Sequence, residues 1–385
     1  MEDIILFKEK KECCGCGLCM TECPKSAIEM KPDEFGFLYP NIDGSLCVKC
    51  GKCMSACVYK EADQGMMPKK VYGALAENTL YQKSTSGGAF SAIATSFMKN
   101  GGFVAGAAGS FENNVYDLKH IIAKDSDELE KIFGSKYVHS RGYEVFDDVK
   151  KTLSEGKKVL FSGTPCQVAA IKELTHDDDN LFTVDIICHG VPSVSMFNDC
   201  LKGLSKELGS RIMGFCFRDK AAGGGYKAVV RTEKGKYILS HGLISFYKLF
   251  LDSVIFRENC YSCPYAGKNR VGDITLGDFW GFKEVFPLHE KKDRYWSCVL
   301  VNSEKGKRLF EESKELLEVM ESDIDSIAKY NHQLNAPSLK PSSREMYQNA
   351  YKEGGYGALE KLYTRNMGGI KFALRKKWNI LRNKK

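Results

Sequence analysis

The chain has no apolar run long enough to cross a bilayer, which takes roughly 20 residues. No G-x-G-x-x-G phrase follows a strand-like segment, and no Walker lysine closes a glycine loop. Neither a standard dinucleotide fold nor a P-loop is therefore expected. The C-x3-C-x2-C triplet of radical enzymes that use S-adenosylmethionine is also missing, because neither Cys23 nor Cys57 is followed by cysteine three residues on. No export signal precedes the first cysteines, and 16 cysteines in an otherwise ordinary chain suit a reducing compartment. The expected location is cytoplasmic. Acidic residues are absent from residues 364–385, which hold eight basic ones; the remainder carries 48 basic against 49 acidic residues. The net charge of +7 thus sits in one tail, which argues against a general nucleic-acid binder.

What the chain does have is one cysteine phrase written twice. Cys13-x-x-Cys16-Gly17-x-Cys19-Met20-x-x-Cys23 is followed by Pro24, and Cys47-x-x-Cys50-Gly51-x-Cys53-Met54-x-x-Cys57 by Val58. This is the ligand run of two-cluster ferredoxins, in which the fourth cysteine serves the other cluster. One [4Fe–4S] is assigned to Cys13, Cys16, Cys19 and Cys57, the other to Cys47, Cys50, Cys53 and Cys23. Zinc has no use for a third cysteine at the same step, and a disulfide framework suits a short secreted chain. Cys14 is extra and reads as a bystander.

The fold expected is mixed α/β. Residues 1–60 form the ferredoxin module, 61–70 a polar linker with Gly65 and Pro68, 71–305 a mixed-sheet domain with an antiparallel section, and 306–385 a mostly helical region with the basic tail. Lys158–Ser162 and Leu181–Cys188 read as buried strands. The first runs into Gly163-Thr164-Pro165, a helix start with Thr164 as N-cap and Pro165 at the first position.

A second cysteine set lies at turns: Cys166 after Thr-Pro, Cys188 before His-Gly, and Cys260-x-x-Cys263 before Pro264. On spacing, these four suit a third [4Fe–4S] and a structural zinc alike. Cys200, Cys216 and Cys298 fall inside helices or strands and read as small buried hydrophobes. His189 has two readings, a donor over a cofactor and a bond within its own turn, of which the turn is favoured. Ser86-Gly87-Gly88, Gly134-Ser135-Lys136-Tyr137 and Gly163-Thr164-Pro165 each offer N–H groups, hydroxyls or a cation to an anion.

The order of these phrases, together with Phe217-Arg218-Asp219-Lys220 and Gly277-Asp278-Phe279-Trp280-Gly281, resembles the beta-subunit family of coenzyme F420 hydrogenases and dehydrogenases over roughly residues 1–300. That family includes formate dehydrogenase beta subunits and plant 7-hydroxymethyl chlorophyll a reductase. The resemblance implies an FAD beside a [4Fe–4S] held by Cys166, Cys188, Cys260 and Cys263. It places Ser86, Gly87, Gly88, Ser135, Lys136, Tyr137 and Thr164 near the flavin, with Asp278, Phe279 and Trp280 shaping the pocket. The cofactor-contacting set is completed by His189. Expected partners are an electron-donor or -acceptor protein and a small-molecule redox substrate, either a deazaflavin such as coenzyme F420 or another hydride-exchanging compound. A reductase of surface-polysaccharide biosynthesis is the alternative within this chemistry. A non-catalytic electron carrier with a zinc-stabilised binding domain is the alternative outside it.

In the tail, Ile370, Leu374, Trp378 and Leu381 recur on one helical face flanked by lysine and arginine. A terminal helix packed on the body is the favoured reading. Peripheral contact with an anionic membrane, or with a partner, is the other.

Overall fold

A computed structural model describes residues 4–382 except 61, 64, 113 and 114. Glu61 and Gln64 of the expected linker, and Lys384 and Lys385 of the tail, lie outside the described residues. The two cysteine runs fold alike. Each places a glycine in the left-handed region (Gly17 at φ 78°, Gly51 at φ 76°) just before a one-turn helix, Leu18–Thr21 and Lys52–Ser55. Glycine takes that conformation without the Cβ clash that other residues meet. An antiparallel hairpin of β1 (Ile28–Pro32) and β2 (Leu38–Ile42) separates the runs.

The rest of the chain supplies β3 (Lys70–Ala76), β4 (Phe103–Glu112), β5 (Val115–Ala123), β6 (Val159–Gly163), β7 (Leu181–Ile186), β8 (Ile212–Cys216), β9 (Lys227–Thr232), β10 (Gly235–Ser240), β11 (Ile274–Asp278), β12 (Ser297–Val301) and β13 (Leu317–Ser322). The main sheet has eight strands in the order β13-β3-β12-β11-β7-β6-β4-β5. Its centre, β11-β7-β6-β4, is parallel, and every other pairing in it is antiparallel. The central strands are buried on both sides, so they read as continuous apolar runs such as Val159-Leu160-Phe161. The helices Ala89–Lys99 and Glu304–Ser313 cover one face, and Phe146–Ser154 and Pro165–Thr175 the other. Strands β8 to β10 make a separate antiparallel sheet. The expected mixed sheet with an antiparallel section is thus present. Strand β13 falls in a stretch expected to be helical. As an edge strand carrying Glu318 and Glu321 it lacks the apolar alternation that marks a strand in sequence.

The helix Ile370–Arg382 does pack on the body, but not through its apolar stripe. Phe372 is buried against Tyr363 at 5.7 Å between ring centroids, and Lys376 pairs with Glu207 at 2.9 Å and Glu360 at 2.8 Å. Ile370, Leu374, Trp378 and Leu381 are 79%, 63%, 55% and 72% exposed. The inward residues 372 and 376 are also four apart, so helical spacing alone did not discriminate between the two faces.

One buried pair ties the carboxyl end of β7 to the loop before β11. Arg270 donates to Asp185 Oδ2 at 3.3 Å, to the Ile186 carbonyl at 3.0 Å and to the Tyr265 carbonyl at 3.0 Å. These backbone groups lie two residues from Cys188 and Cys263. Asp185→Ala leaves the guanidinium buried without its carboxylate, which typically costs about 3–5 kcal/mol. A matching drop in unfolding free energy, measured by anaerobic denaturant titration, is expected. An unchanged midpoint would show that the pair is not needed to hold the loop.

Candidate functional site

The cysteines assemble around three centres. A small void is lined by Cys23, Cys47, Cys50 and Cys53. A second is lined by Cys13, Cys16, Cys19 and Cys57, with Cys14 and Cys53 also on its wall. The crossing of Cys23 and Cys57 between the runs follows from the one-turn helices, which carry the fourth cysteine away from its own loop. Burial pushes the Cys19 thiol up to about 12, and the neighbouring Cys13, Cys57 and Cys53 push the same way. In the second set, burial followed by Cys166 and Cys263 raises Cys188 to about 12, and burial followed by Cys166 raises Cys263 to about 11. Cys260 is raised well above its usual value by burial, with Cys188, Cys263 and Cys166 adding to it. The four turn cysteines therefore converge, although about a hundred residues separate the first from the last. Cys200 and Cys298 are buried inside a helix and a strand, as expected of packing residues, whereas Cys216 ends β8 only half-buried, its thiol donating to the Arg218 carbonyl at 3.2 Å.

The module is fastened to the domain beside these centres. The guanidinium of Arg257, fully buried, donates to the Cys13 carbonyl at 3.0 Å and the Leu38 carbonyl at 2.9 Å, and reaches Cys13 Sγ at 3.6 Å. It stacks 3.8 Å from the Tyr39 ring centre. Gly15 has no room for a side chain, since a Cβ there would lie 2.9 Å from the Arg257 guanidinium carbon. Tyr59 donates to the carbonyls of Asn259 at 3.1 Å and Ser262 at 3.3 Å, on the Cys260–Cys263 turn. Cys14 is buried, its pKa held well above the usual value by Cys16 and by burial, and its thiol lies among the sulfurs of Cys16 and Cys166. It bridges the inner ferredoxin centre and the second set.

A cavity of about 300 Å³ opens at the carboxyl ends of β6, β7 and β11. Seven of the eight expected contact residues line it: Ser86, Gly88, Ser135, Lys136, Tyr137, Thr164 and His189. Gly87 is not on the wall. It packs beneath, where a Cβ would lie 2.2 Å from the Ala74 carbonyl oxygen, so its need is for close approach rather than ligand contact. Ser86 sits at φ 52°, a strained value for a non-glycine, and its hydroxyl donates to the Trp296 carbonyl at 3.0 Å. Lys136 donates to the carbonyls of Ile132 at 2.6 Å and Phe133 at 2.8 Å, and burial lowers its pKa to about 7. The Tyr137 ring stacks on Phe250 at 4.8 Å. Thr164 caps its helix, as expected, through a capping box closed by Gln167, and its Oγ1 lies 3.2 Å from Cys166 Sγ. His189 bonds Ser253 Oγ at 3.1 Å, a partner 64 residues on, and faces the cavity, so its ring is held by a long-range contact and not by its own turn. Burial lowers its pKa to about 4 and keeps it neutral. Asp278 lines the cavity, Phe279 is in the core, and Trp280 is 36% exposed.

Among the wall residues that sequence reasoning did not name as cofactor contacts are His120, Ser140, Gln167 and Arg218. His120 places Nε2 2.9 Å from the Ser162 carbonyl oxygen, while Nδ1 has no partner among the described residues. Burial lowers its pKa to about 4. Gln167 donates to the Ser140 carbonyl at 2.9 Å. No local spacing marks His120 or Ser140. Gln167 and Arg218 did carry a signal, Gln167 as the residue three beyond Thr164 that closes its capping box and Arg218 by its place in the Phe217–Lys220 phrase.

Three family profiles match the chain. "4Fe-4S dicluster domain" covers residues 12–60. The amino-terminal profile of the coenzyme F420 hydrogenase/dehydrogenase beta-subunit family covers residues 71–146, and the carboxy-terminal profile of the same family covers residues 156–326. No curated protein matches. Among solved structures, a chain of the F420-reducing [NiFe] hydrogenase complex from Methanosarcina barkeri has 16% identity and a TM-score of 0.50. The alignment covers 76% of this chain and 95% of that one, a likeness of fold. With both family halves matched in order behind a dicluster module, the chain belongs to the coenzyme F420 hydrogenase/dehydrogenase beta-subunit family and is an iron–sulfur protein of it.

Proposed function

We propose that this protein is an FAD- and iron–sulfur-dependent oxidoreductase that carries electrons between a protein partner and a small-molecule substrate. The observation that carries this reading is a shared wall. Thr164 and Cys188 face the cavity, Cys166 of the same turn touches Cys14, and Cys14 touches Cys16 of the inner ferredoxin centre. The outer centre faces solvent at Cys50, with Leu46 and Val48 51% and 54% exposed beside it, so a partner carrier meets the chain there. In this reading Cys13, Cys16, Cys19 and Cys57 hold one [4Fe–4S], Cys23, Cys47, Cys50 and Cys53 a second, and Cys166, Cys188, Cys260 and Cys263 a third.

Ser86, Gly88, Ser135, Lys136, Tyr137, Thr164 and His189 would hold FAD, with Gly87 setting the backbone of the loop. A flavin exchanges single electrons with clusters and hydride with substrates, a conversion no side chain here supplies. The chain's own residues set the medium. Lys136 presents an enclosed amine that gains a proton when negative charge arrives. His120 and His189 stay neutral and add no charge at physiological pH. Tyr137 and Phe250 wall off water. The substrate class is a deazaflavin such as coenzyme F420, or another small hydride acceptor or donor; a step in surface-polysaccharide biosynthesis is compatible with the same chemistry.

Anaerobic purification with iron, zinc and flavin counted per chain is expected to give about twelve irons and one FAD, the content of three cubane clusters and one flavin. About eight irons with zinc and no flavin after reconstitution would instead leave a ferredoxin joined to a zinc-stabilised binding domain.

Lys136 has a further consequence for pH. Its pKa is about 7 in the folded chain against 10.5 for the free side chain, and Lys220 is lowered to a similar value. Between those pH values the unfolded chain binds more protons, so stability rises with pH above about 7 and falls as pH drops toward it. Lys136→Met is expected to reduce this slope without abolishing it, since Lys220 remains. Denaturant midpoints at about pH 7.5 and about pH 9 measure the effect, and an unaltered slope would show that Lys136 is charged throughout.

The exposed stripe of the terminal helix, flanked by Lys371, Arg375, Lys377 and Arg382, fits an anionic bilayer by charge and by its apolar face. The protein is expected to float with low-salt vesicles containing phosphatidylglycerol but not with neutral ones, and Leu374→Glu with Trp378→Glu is expected to remove flotation. Flotation that is absent, or that survives the double change, would leave the stripe to a protein partner.

A further inference from the structure

The Phe217–Lys220 and Gly277–Gly281 phrases meet at the mouth of the cavity. There Arg218 makes a two-pronged bond to Asp278, at 2.7 and 3.1 Å. The Arg218 guanidinium is ringed by Tyr226 at 5.5 Å and Trp280 at 5.8 Å. Arg218 and Asp278 line the cavity, and Trp280 stays exposed beside it.

Two more cations stand on a neighbouring ring. Lys220 Nζ lies 3.3 Å from the centre of the Tyr81 ring, and the Arg294 guanidinium carbon lies 4.0 Å from it. Neither makes an ion pair among the described residues. Lys220 donates to the Tyr81 carbonyl at 2.6 Å, and Arg294 reaches only the Asn78 side-chain oxygen, at 3.4 Å. Asp219, next in sequence to Lys220, is engaged elsewhere, accepting from the Ala222 N–H at 3.1 Å. Three cations thus share one carboxylate, Asp278, which Arg218 already occupies. Cation–π contact offsets only part of the cost of holding two unpaired like charges on one ring. Burial, with repulsion from Arg218 and Arg294, lowers the Lys220 pKa to about 7, the response expected where a compensating anion is missing.

We propose that Lys220 and Arg294, with Arg218 behind them and Trp280 and Tyr226 as an aromatic wall, form a subsite for a phosphate or diphosphate group at the mouth of the cavity. A dianion matches two unpaired cations better than a single carboxylate does. The adjoining aromatic wall suits a ring carried on the same molecule. The assignment rests on reading the cavity as the redox site. The group has two sources: a phosphate-bearing substrate, or the diphosphate of the flavin dinucleotide.

The test is calorimetric titration of the purified, cluster-containing full chain with inorganic pyrophosphate at low salt, for wild type, Lys220→Gln, Arg294→Gln and Arg294→Lys. Saturable binding is expected in the wild type, at least about tenfold weaker in each Gln variant and largely retained in Arg294→Lys, with visible spectra and thermal midpoints checking that each variant folds. Flavin content separates the sources. Unchanged FAD retention in the Gln variants assigns the subsite to substrate, whereas loss of FAD with retention of FMN assigns it to the dinucleotide. The absence of saturable pyrophosphate binding in the wild type, or wild-type affinity in both Gln variants, would overturn the subsite. Because the titration needs neither turnover nor a known substrate, its failure is separate from failure of the redox reading, which the iron and flavin counts decide.

Discussion

Arg257 devotes a fully buried guanidinium to holding two pieces of chain together. Its side chain fastens the Cys13 loop and the start of β2 at Leu38, while its own backbone N–H donates to the Val191 carbonyl at 2.8 Å, three residues beyond Cys188. It also stands immediately before the Cys260 turn. One residue therefore sets the position of the inner ferredoxin centre relative to the second cysteine set. Unpaired, such a group would be costly; here two carbonyls, a sulfur and the Tyr39 face absorb its charge. Tyr59 and Cys14 make the same junction from the module's side, and the distance over which an electron would move depends on all three.

Charge is managed differently on the two sides of that junction. Around the cysteines, burial and neighbouring sulfurs oppose ionisation, so each shell favours thiolate only when cationic metal is present. At the cavity Arg218 already occupies the one carboxylate on the wall, Asp278, with Lys220 and Arg294 beside it unpaired by any carboxylate among the described residues, while burial lowers the pKa of the Lys136 amine and keeps the histidines neutral. A site built this way favours accumulating negative charge, which suits a centre that takes up electrons and binds anionic ligands.

Much of the cavity was legible before the fold was known, because its residues sit at strand-to-helix turns whose glycine, threonine and proline have local causes. Thr164 caps its helix for reasons contained in four consecutive residues. Gly87 was read as an anion contact and is instead a packing requirement, a distinction that depends on Ala74 and Ser297 arriving from other strands. His120 carried no signal, because what places it on the wall is pairing between β4, β5 and β6 and not any spacing along the chain. The terminal helix shows the same limit: two faces with similar periodicity competed, and Phe372 with Lys376 won through Tyr363, Glu207 and Glu360.

Residue order alone was enough to point to a two-cluster ferredoxin module, since the repeated cysteine run with its glycine before a one-turn helix is a local feature. It was also enough for the alternation of buried strands and helices, and for the concentration of positive charge in the tail. Long-range packing was needed to establish that Cys166, Cys188, Cys260 and Cys263 meet, that Cys14 joins them to the module, and that three cations gather at the cavity mouth. Local patterns act over one turn or one strand, whereas these meetings depend on which strands become neighbours, and that is settled by burying the whole sheet at once.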